Sequence, residues 1–141
     1  MTFTNPGSDE ICRLLRGTHT IAVMGLSDNP SRPSFRVARA MQGYGYRIVP
    51  VRPLVLEVLG ETAFPDLESL PFKVDLVDVF RAAEHIPAIV ESCIALGIPH
   101  LWLQEGVIHE EAAQRARAAG ITVVMDRCIW RDRANLCGDP A

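Results

Sequence analysis

The sequence predicts an α/β domain: a doubly wound, mostly parallel five-stranded sheet with helices on both faces. Three observations carry that reading. Short apolar runs of strand length alternate along the chain with longer stretches of helical periodicity. Glycines punctuate the passage from helix to the next strand, at Gly17, Gly43, Gly45, Gly97 and Gly120. The runs themselves, such as Thr20 to Met24 and Ile121 to Met125, are apolar almost throughout, as strands covered on both faces are. Right-handed crossovers then favour a strand order of about 3-2-1-4-5 with the first strand central. A ligand crevice is expected outside the carboxyl ends, where the chain changes direction between strands one and four.

Each element has a local reason. Ser8, Asp9 and Glu10 read as a helix start, with Ser8 as cap and two carboxylates in the first turn where the helix dipole favours them. Ile11, Leu14 and Leu15 form the apolar stripe and Gly17 ends it. Thr20 to Met24 is the first strand, stopped by Gly25 and a cluster of turn formers. Phe35, Ala38 and Met41 then recur at three-residue spacing with Val37 beside them, so a second helix opens near Ser31 or Arg32-Pro33. Proline suits the first helical position, and the free N–H groups there make a natural anion site. Gly43-Tyr44-Gly45 breaks this helix, and "YRIVPV" is the second strand, followed by Arg52-Pro53.

A short edge strand is expected around Ala63-Phe64, then a turn of helix capped by Asp66. Val74 to Phe80 is the fourth strand. Glu84 to Leu96 places Ile86, Ile89, Val90, Cys93 and Ile94 on one helical face, with Gly97 as the stop before Pro99. His100 to Gln104 is a further strand. Glu110 to Ala119 is an alanine-rich helix with Ala112, Ala113, Ala116 and Ala119 inward, and Ile121 to Met125 is the last strand. The tail reads as a short helical turn and a frayed end.

Composition bounds the rest. At 141 residues, with 48% hydrophobic and 22% charged, the chain suits one well-packed domain over 1–141, its core about 18–130 and its termini flexible. A net charge of -3 argues against a general nucleic-acid binder. No apolar run approaches the ~20 residues that span a bilayer, and the N-terminus lacks the basic-then-apolar pattern of a signal peptide. Cys12, Cys93, Cys128 and Cys137 show no C-x-x-C pair and no metal-ligand spacing. Neither a disulfide framework nor a metal is expected, and a reducing cytoplasm is the simpler location. The sequence carries no signal for an oligomeric state.

The loops after Gly25, Val51, Phe80, Gln104 and Met125 should all face the crevice. Four of them carry an arginine: Arg32, Arg52, Arg81 and Arg127. A net acidic chain that collects guanidinium groups along one rim suits a polyanion, because diphosphate and phosphomonoester groups match guanidinium geometry. The competing reading is ordinary surface arginine, with Arg81 paired to Glu84 and Arg127 to Asp126. The first loop is not a dinucleotide fingerprint, since Ser27 and Pro30 stand where glycines are needed, and no acidic residue follows the second strand to read a ribose. NAD is therefore disfavoured.

Together "GLSDNPSRPSFRVARAM", "YGYRIVPVRP", "VDLVDVFR", "WLQEGV" and "AGITVVMDRC" resemble, in register from about Thr20 to Cys128, the small CoA-binding proteins. These are a single-domain group similar to the CoA-binding domain of the succinyl-CoA synthetase alpha subunit. The resemblance implies a Rossmann-like fold that binds coenzyme A or acyl-CoA across the strand ends. By position, Gly25, Ser27, Arg32, Pro33 and Ser34 would hold the phosphate-bearing part. Val51, Arg52 and Pro53 would line the adenosine side, and Phe80 and Arg81, with Gln104 and Gly106, would flank the pantetheine path. One departure stands out: the family usually has Asn-Pro after the second strand, often followed by a basic residue, whereas here Arg52-Pro53 is followed by Leu54. Arg52 would replace the lost basic group.

Catalytic constellations are not legible. Cys128 follows the last strand, where Arg127 would favour its thiolate and a mixed disulfide with the thiol of CoA is chemically reasonable; a small packed residue is the competing reading. Cys93 reads as core. His19, His85, His100 and His109 flank strands or open helices, where caps are commoner than acid–base work. Asp75, Asp78, Glu105 and Asp126 are candidate partners for the rim arginines. Trp102 is expected to pack against a covering helix, and Trp130 to cover the sheet edge or make a subunit contact. The expected function is a CoA-binding carrier, sensor or thiol-protecting partner. The alternative is a nucleotide-dependent enzyme or an acyl-CoA ligase-type subunit that needs a partner domain, since succinyl-CoA synthetases take their phosphorylated histidine from a following domain.

Overall fold

The computed structural model describes residues 2–138. Helix α1 (Ser8–Gly17) leads into β1 (Thr20–Met24), α2 (Pro33–Gly43) and β2 (Arg47–Val51). A small hairpin, β3 (Glu57–Val58) and β4 (Glu61–Thr62), precedes β5 (Leu76–Val79). After a 3-10 turn at Ala83–His85 come α3 (Ile86–Leu96), β6 (His100–Leu103), α4 (Glu110–Ala118), β7 (Thr122–Met125) and α5 (Ile129–Leu136). The frayed end expected of the tail falls on residues 139–141, outside the described residues. Among the described residues, no helix is long and apolar enough to cross a membrane.

Five strands form one parallel sheet in the order β2-β1-β5-β6-β7. The first strand is central to the crossover, paired with Arg47–Val51 on one side and Leu76–Val79 on the other. The edge strand expected at Ala63-Phe64 is reduced to a single parallel bridge between Val51 and Phe64. The Phe64 N–H donates to the Pro50 carbonyl at 3.0 Å, and the Arg52 N–H donates to the Phe64 carbonyl at 2.8 Å. In a parallel strand the N–H and C=O of one residue face the same neighbour. The donor Pro50 lacks therefore falls on this outer side, where a longer ladder would need it, while the pairing with β1 is left whole.

The sheet has a packed core on each face. Val49, Val77, Leu101, Leu103 and Val123 meet Ile86, Val90 and Cys93 of α3 and Ala113 and Ala116 of α4. On the other face Ile21, Val23, Ile48, Leu76, Trp102 and Val124 meet Leu15 of α1, Met41 of α2 and Ile129 of α5. Trp102 is completely buried there, and its indole N–H donates to the Arg127 carbonyl at 2.8 Å. Burial on both faces is why these strands are apolar without alternation.

Several boundaries differ from expectation for local reasons. The α1 cap is Gly7, whose carbonyl accepts the Ile11 N–H at 3.0 Å, rather than Ser8. Asp66 accepts the Ser69 N–H at 2.8 Å and closes a turn that does not continue into a helix. Ala119 is the exposed C-cap of α4 rather than an inward residue. The tail forms the eight-residue helix α5, in which Ile129, Asp132 and Arg133 are buried. Arg133 lies 4.5 Å over the Tyr44 ring, which docks this helix against the end of α2.

The cysteine reading needs correction. Cys12 of α1 and Cys137 just beyond α5 are joined by a disulfide, with their Cα atoms 5.2 Å apart. A separation of 125 residues leaves no spacing signature, and the pair is created by the packing of the first helix on the last. The cytoplasmic expectation loses the support it drew from the absence of such a bond. The N-terminal segment is pinned as well. The Asn5 side chain donates to the Met125 carbonyl and accepts the Met125 N–H, at 2.9 and 2.8 Å, and Phe3 is buried under the Arg117 guanidinium.

Candidate functional site

A cleft of about 750 Å³ opens at the carboxyl ends of β1, β2 and β5. Its floor depends on Gly25, the residue just past β1. Gly25 has φ +78°, and a Cβ there would collide with the Phe80 carbonyl oxygen. Glycine therefore lets the β1 and β5 loops approach, while the Gly25 N–H donates to the Val51 carbonyl at 3.0 Å and ties in β2. Three strand ends are drawn together at one residue.

The loop from β1 to α2 braces itself. The Ser27 N–H donates to Ser34 Oγ, and the Asn29 N–H to Ser27 Oγ, each at 3.0 Å. Asn29 Oδ1 accepts from both the N–H and the hydroxyl of Ser31, at 3.0 and 2.8 Å. Arg32 is the N-cap of α2 and Pro33 its first residue. The N–H groups of Ser34 and Phe35 are then left without intrahelical acceptors, at the positive end of the helix dipole. Ser34 is buried, and its hydroxyl, which accepts the Ser27 N–H, braces the loop against the start of α2.

Three of the four rim arginines converge on this cleft: Arg32, Arg52 and Arg81, together with Pro33, Pro53 and Phe80. Arg52 is loosely held, 4.0 Å from Asp28 Oδ1 and 3.5 Å from the Leu26 carbonyl. Among the described residues Arg32 and Arg81 form no ion pair, and Glu84 lies by His85 rather than Arg81. The fourth does not belong to the group. Arg127 makes a two-pronged ion pair with buried Asp132, at 2.6 and 2.9 Å, and that hydrogen bonding raises its pKa further. Asp126 is not its partner.

The acidic residues proposed to neutralise the rim do other work. Asp75 accepts the N–H groups of His19 and Thr20 at the amino end of β1. Glu105 pairs with Arg131 at 2.7 Å, and Asp126 accepts the Gly106 N–H at 2.8 Å. Asp78 is buried in β5, where burial raises its pKa well above the usual carboxylate range; its Oδ1 has no partner among the described residues. The cleft therefore keeps an excess of positive charge.

The remaining expected site residues lie outside the cleft lining. The Val51 side chain is buried in the α3/α4 core, and its backbone carbonyl supports Gly25. Gln104 is buried, with Oε1 accepting the Ile129 N–H at 3.1 Å as a cap for α5. Gly106 sits in an exposed turn held by Asp126. Cys128 is buried as the α5 N-cap, and the guanidinium beside it is already committed to Asp132. Cys93 is core, with burial pushing its thiol up to about 12. His109 caps α4, its Nδ1 accepting the Ala112 N–H at 3.1 Å.

Asp28 and Asn29 also line the cleft, and neither was singled out from the sequence. Asn29 had a visible signal in its Asn-Pro turn, where the Asx side chain organises the following backbone. What the assembled groups can do is bind an extended polyanion, with free backbone donors, three guanidinium groups and few competing carboxylates.

A family profile described as the CoA binding domain matches residues 19–133. Protein YneT of Bacillus subtilis (strain 168) is 42% identical over 125 residues, covering 89% of this chain and 93% of its own. The solved structure of cell-free ID.343 from Thermus thermophilus is 36% identical with a TM-score of 0.88, over 93% of this chain and 99% of that one. A hypothetical protein from Pyrococcus horikoshii OT3 is 31% identical with a TM-score of 0.89, over 96% and 99% of the two chains. With a Rossmann-like sheet, an arginine-lined cleft at its strand ends and a profile match across most of its length, this chain belongs to the CoA binding domain family.

Proposed function

We propose that the protein binds coenzyme A or an acyl-CoA across the carboxyl ends of β1, β2 and β5, and acts as a carrier, sensor or thiol-protecting partner. The observation that carries this reading is the meeting of Arg32, Arg52 and Arg81 with the open end of α2 in one cleft. In the proposal the N–H groups of Ser34 and Phe35 and the Arg32 guanidinium take a phosphate, as helix termini and arginine forks do. Arg52 and Arg81 flank the remaining phosphate charge. Pro53 leads toward the adenosine, and Phe80 toward the thiol-bearing arm. Cys128, packed at the head of α5, serves the fold in this scheme.

Calorimetric titration with CoA, desulfo-CoA, NAD and ATP tests the reading. CoA and desulfo-CoA should bind alike and more tightly than NAD or ATP, because the contacts are to phosphates and the arm rather than to sulfur. Equal affinity across all four, or none at all, would reject it.

A further inference from the structure

The two edges of the sheet are finished differently. Beyond β2 the chain closes its own edge: Pro50 has no outward N–H to offer, and the Arg52 N–H is taken by the Phe64 carbonyl at 2.8 Å. At the other edge the sheet ends with β7. Thr122–Met125 carries no charge, no proline and, with its register to β6 unbroken, no bulge. Those devices commonly stop a strand edge from pairing with another chain, and β7 has none of them.

The ladder fixes which groups face outward. The Thr122 N–H donates to the Pro99 carbonyl at 3.1 Å and the Asp126 N–H to the Leu103 carbonyl at 2.8 Å, so Thr122, Val124 and Asp126 address β6. Val123 and Met125 therefore turn their N–H and carbonyl groups away from the sheet. Residues 3–6 lie over them. The Asn5 amide meets Met125 with both prongs, donating to its carbonyl at 2.9 Å and accepting its N–H at 2.8 Å, the two bonds a neighbouring strand would supply. Val123 is shielded but not bonded. It is fully buried in a groove of about 350 Å³ lined also by Thr4 and Pro6, and among the described residues no group outside the sheet pairs its N–H or carbonyl. The covering segment is anchored by Phe3, buried 4.0 Å from the Arg117 guanidinium, and by the Thr4 carbonyl, which accepts from Arg117 Nη2 at 2.6 Å. Pro6 has no N–H, so the segment does not carry pairing further outward.

We infer that residues 3–6 act as an edge guard, and that the outer edge of β7 beneath them is a latent pairing surface whose partner is the same edge of a second copy of this chain. The choice of partner follows from symmetry. Val123 and Met125 each present a donor and an acceptor on one side, so two such edges related by a two-fold axis meet antiparallel with donors opposite acceptors. That arrangement uses both groups of Val123, which the guard leaves unbonded. It stops at two copies, because the β2 edge is already closed. The inference is independent of the CoA reading, since none of these residues lines the arginine cleft.

Sedimentation equilibrium of the wild type, Asn5→Ala and Phe3→Ser/Asn5→Ala tests this, with circular dichroism melts to verify folding. Asn5→Ala removes both bonds to Met125 and leaves the buried Phe3 in place, so it keeps the test alive if the double variant does not fold. Both variants should self-associate about tenfold or more tightly than the wild type, the double variant the more strongly. In the same samples, hydrogen exchange should show the Val123 and Met125 amides gaining protection as protein concentration rises. A folded Asn5→Ala that associates no more than the wild type would overturn the inference. Concentration-dependent protection on other amides, or a wild type already paired through Val123, would do the same. Open-ended aggregation with loss of the native spectrum would also overturn it, because pairing about a two-fold axis closes at the dimer.

Discussion

Gly25 shows how a single position couples the sheet to the cleft. Its positive φ and the contact a Cβ would make with the Phe80 carbonyl act together, so Gly25→Ala should both strain the backbone and push the β5 loop away. The expected cost is about 2 kcal/mol of stability, read from urea unfolding, together with weakened CoA binding in the same preparation. Asp78 gives a prediction of different sign. Burial raises its folded pKa well above the ordinary value, against a smaller opposing effect of a backbone hydrogen bond at Val79. The unfolded chain releases this proton above about pH 4, and the folded chain keeps it. Stability contributed by the protonated form is therefore fully present at low pH and is lost progressively as pH rises toward the folded value. Asp78→Asn should remove that slope, and unfolding measured from pH 4 to 8 should show the variant gaining on the wild type as pH rises. Residue types told only part of this in advance. Arg32, Arg52 and Arg81 were legible because each follows a strand. Arg127 follows one too, but its partner Asp132 sits in a tail whose helix the sequence hardly announced.

At the scale of elements, the site depends on where α2 begins, and the Arg32-Pro33 start was readable from proline's preference for the first helical turn. Replacing Arg32 by alanine removes a charge-assisted contact beside the free N–H groups, and CoA affinity should fall about tenfold or more. Arg127→Ala is the contrasting case. It should leave affinity within about twofold, while unfolding reports a loss near 1–2 kcal/mol from unpairing the buried Asp132. Comparable affinity losses from both substitutions would mean that Arg127 shares the ligand after all. The edge strand around Phe64 was less legible. Its residues suit a strand, but Pro50 on the neighbouring strand removes the donor a longer ladder would use, and that conflict appears only once the two segments are paired. Helix α5, expected only as a short helical turn, was underestimated in length for a similar reason. Its stability comes from Ile129 buried against the sheet and Gln104 capping its first turn, which are tertiary partners rather than local propensity.

For the whole molecule, the alternation of strands and helices was enough to place the cleft, because a doubly wound sheet has its crevice where the crossover direction reverses. The two-sided core follows from the same pattern. What alternation could not supply was the bond between Cys12 and Cys137, which belongs to the docking of α1 on α5. Cys137→Ser, or reduction of the wild type, should lower stability by about 2–4 kcal/mol. Guanidinium chloride unfolding with and without reductant measures it. Ligand affinity should stay unchanged, because α1 contributes nothing to the cleft.

That bond also turns most of the polypeptide into a covalent ring. A protease that nicks a surface turn such as the one at Gly106 would yield fragments that migrate as one species on a non-reducing gel and separate once a thiol is added. Pulled from points on either side of the ring, the oxidised protein should place the load on the two sulfurs, and the sheet should stay shut.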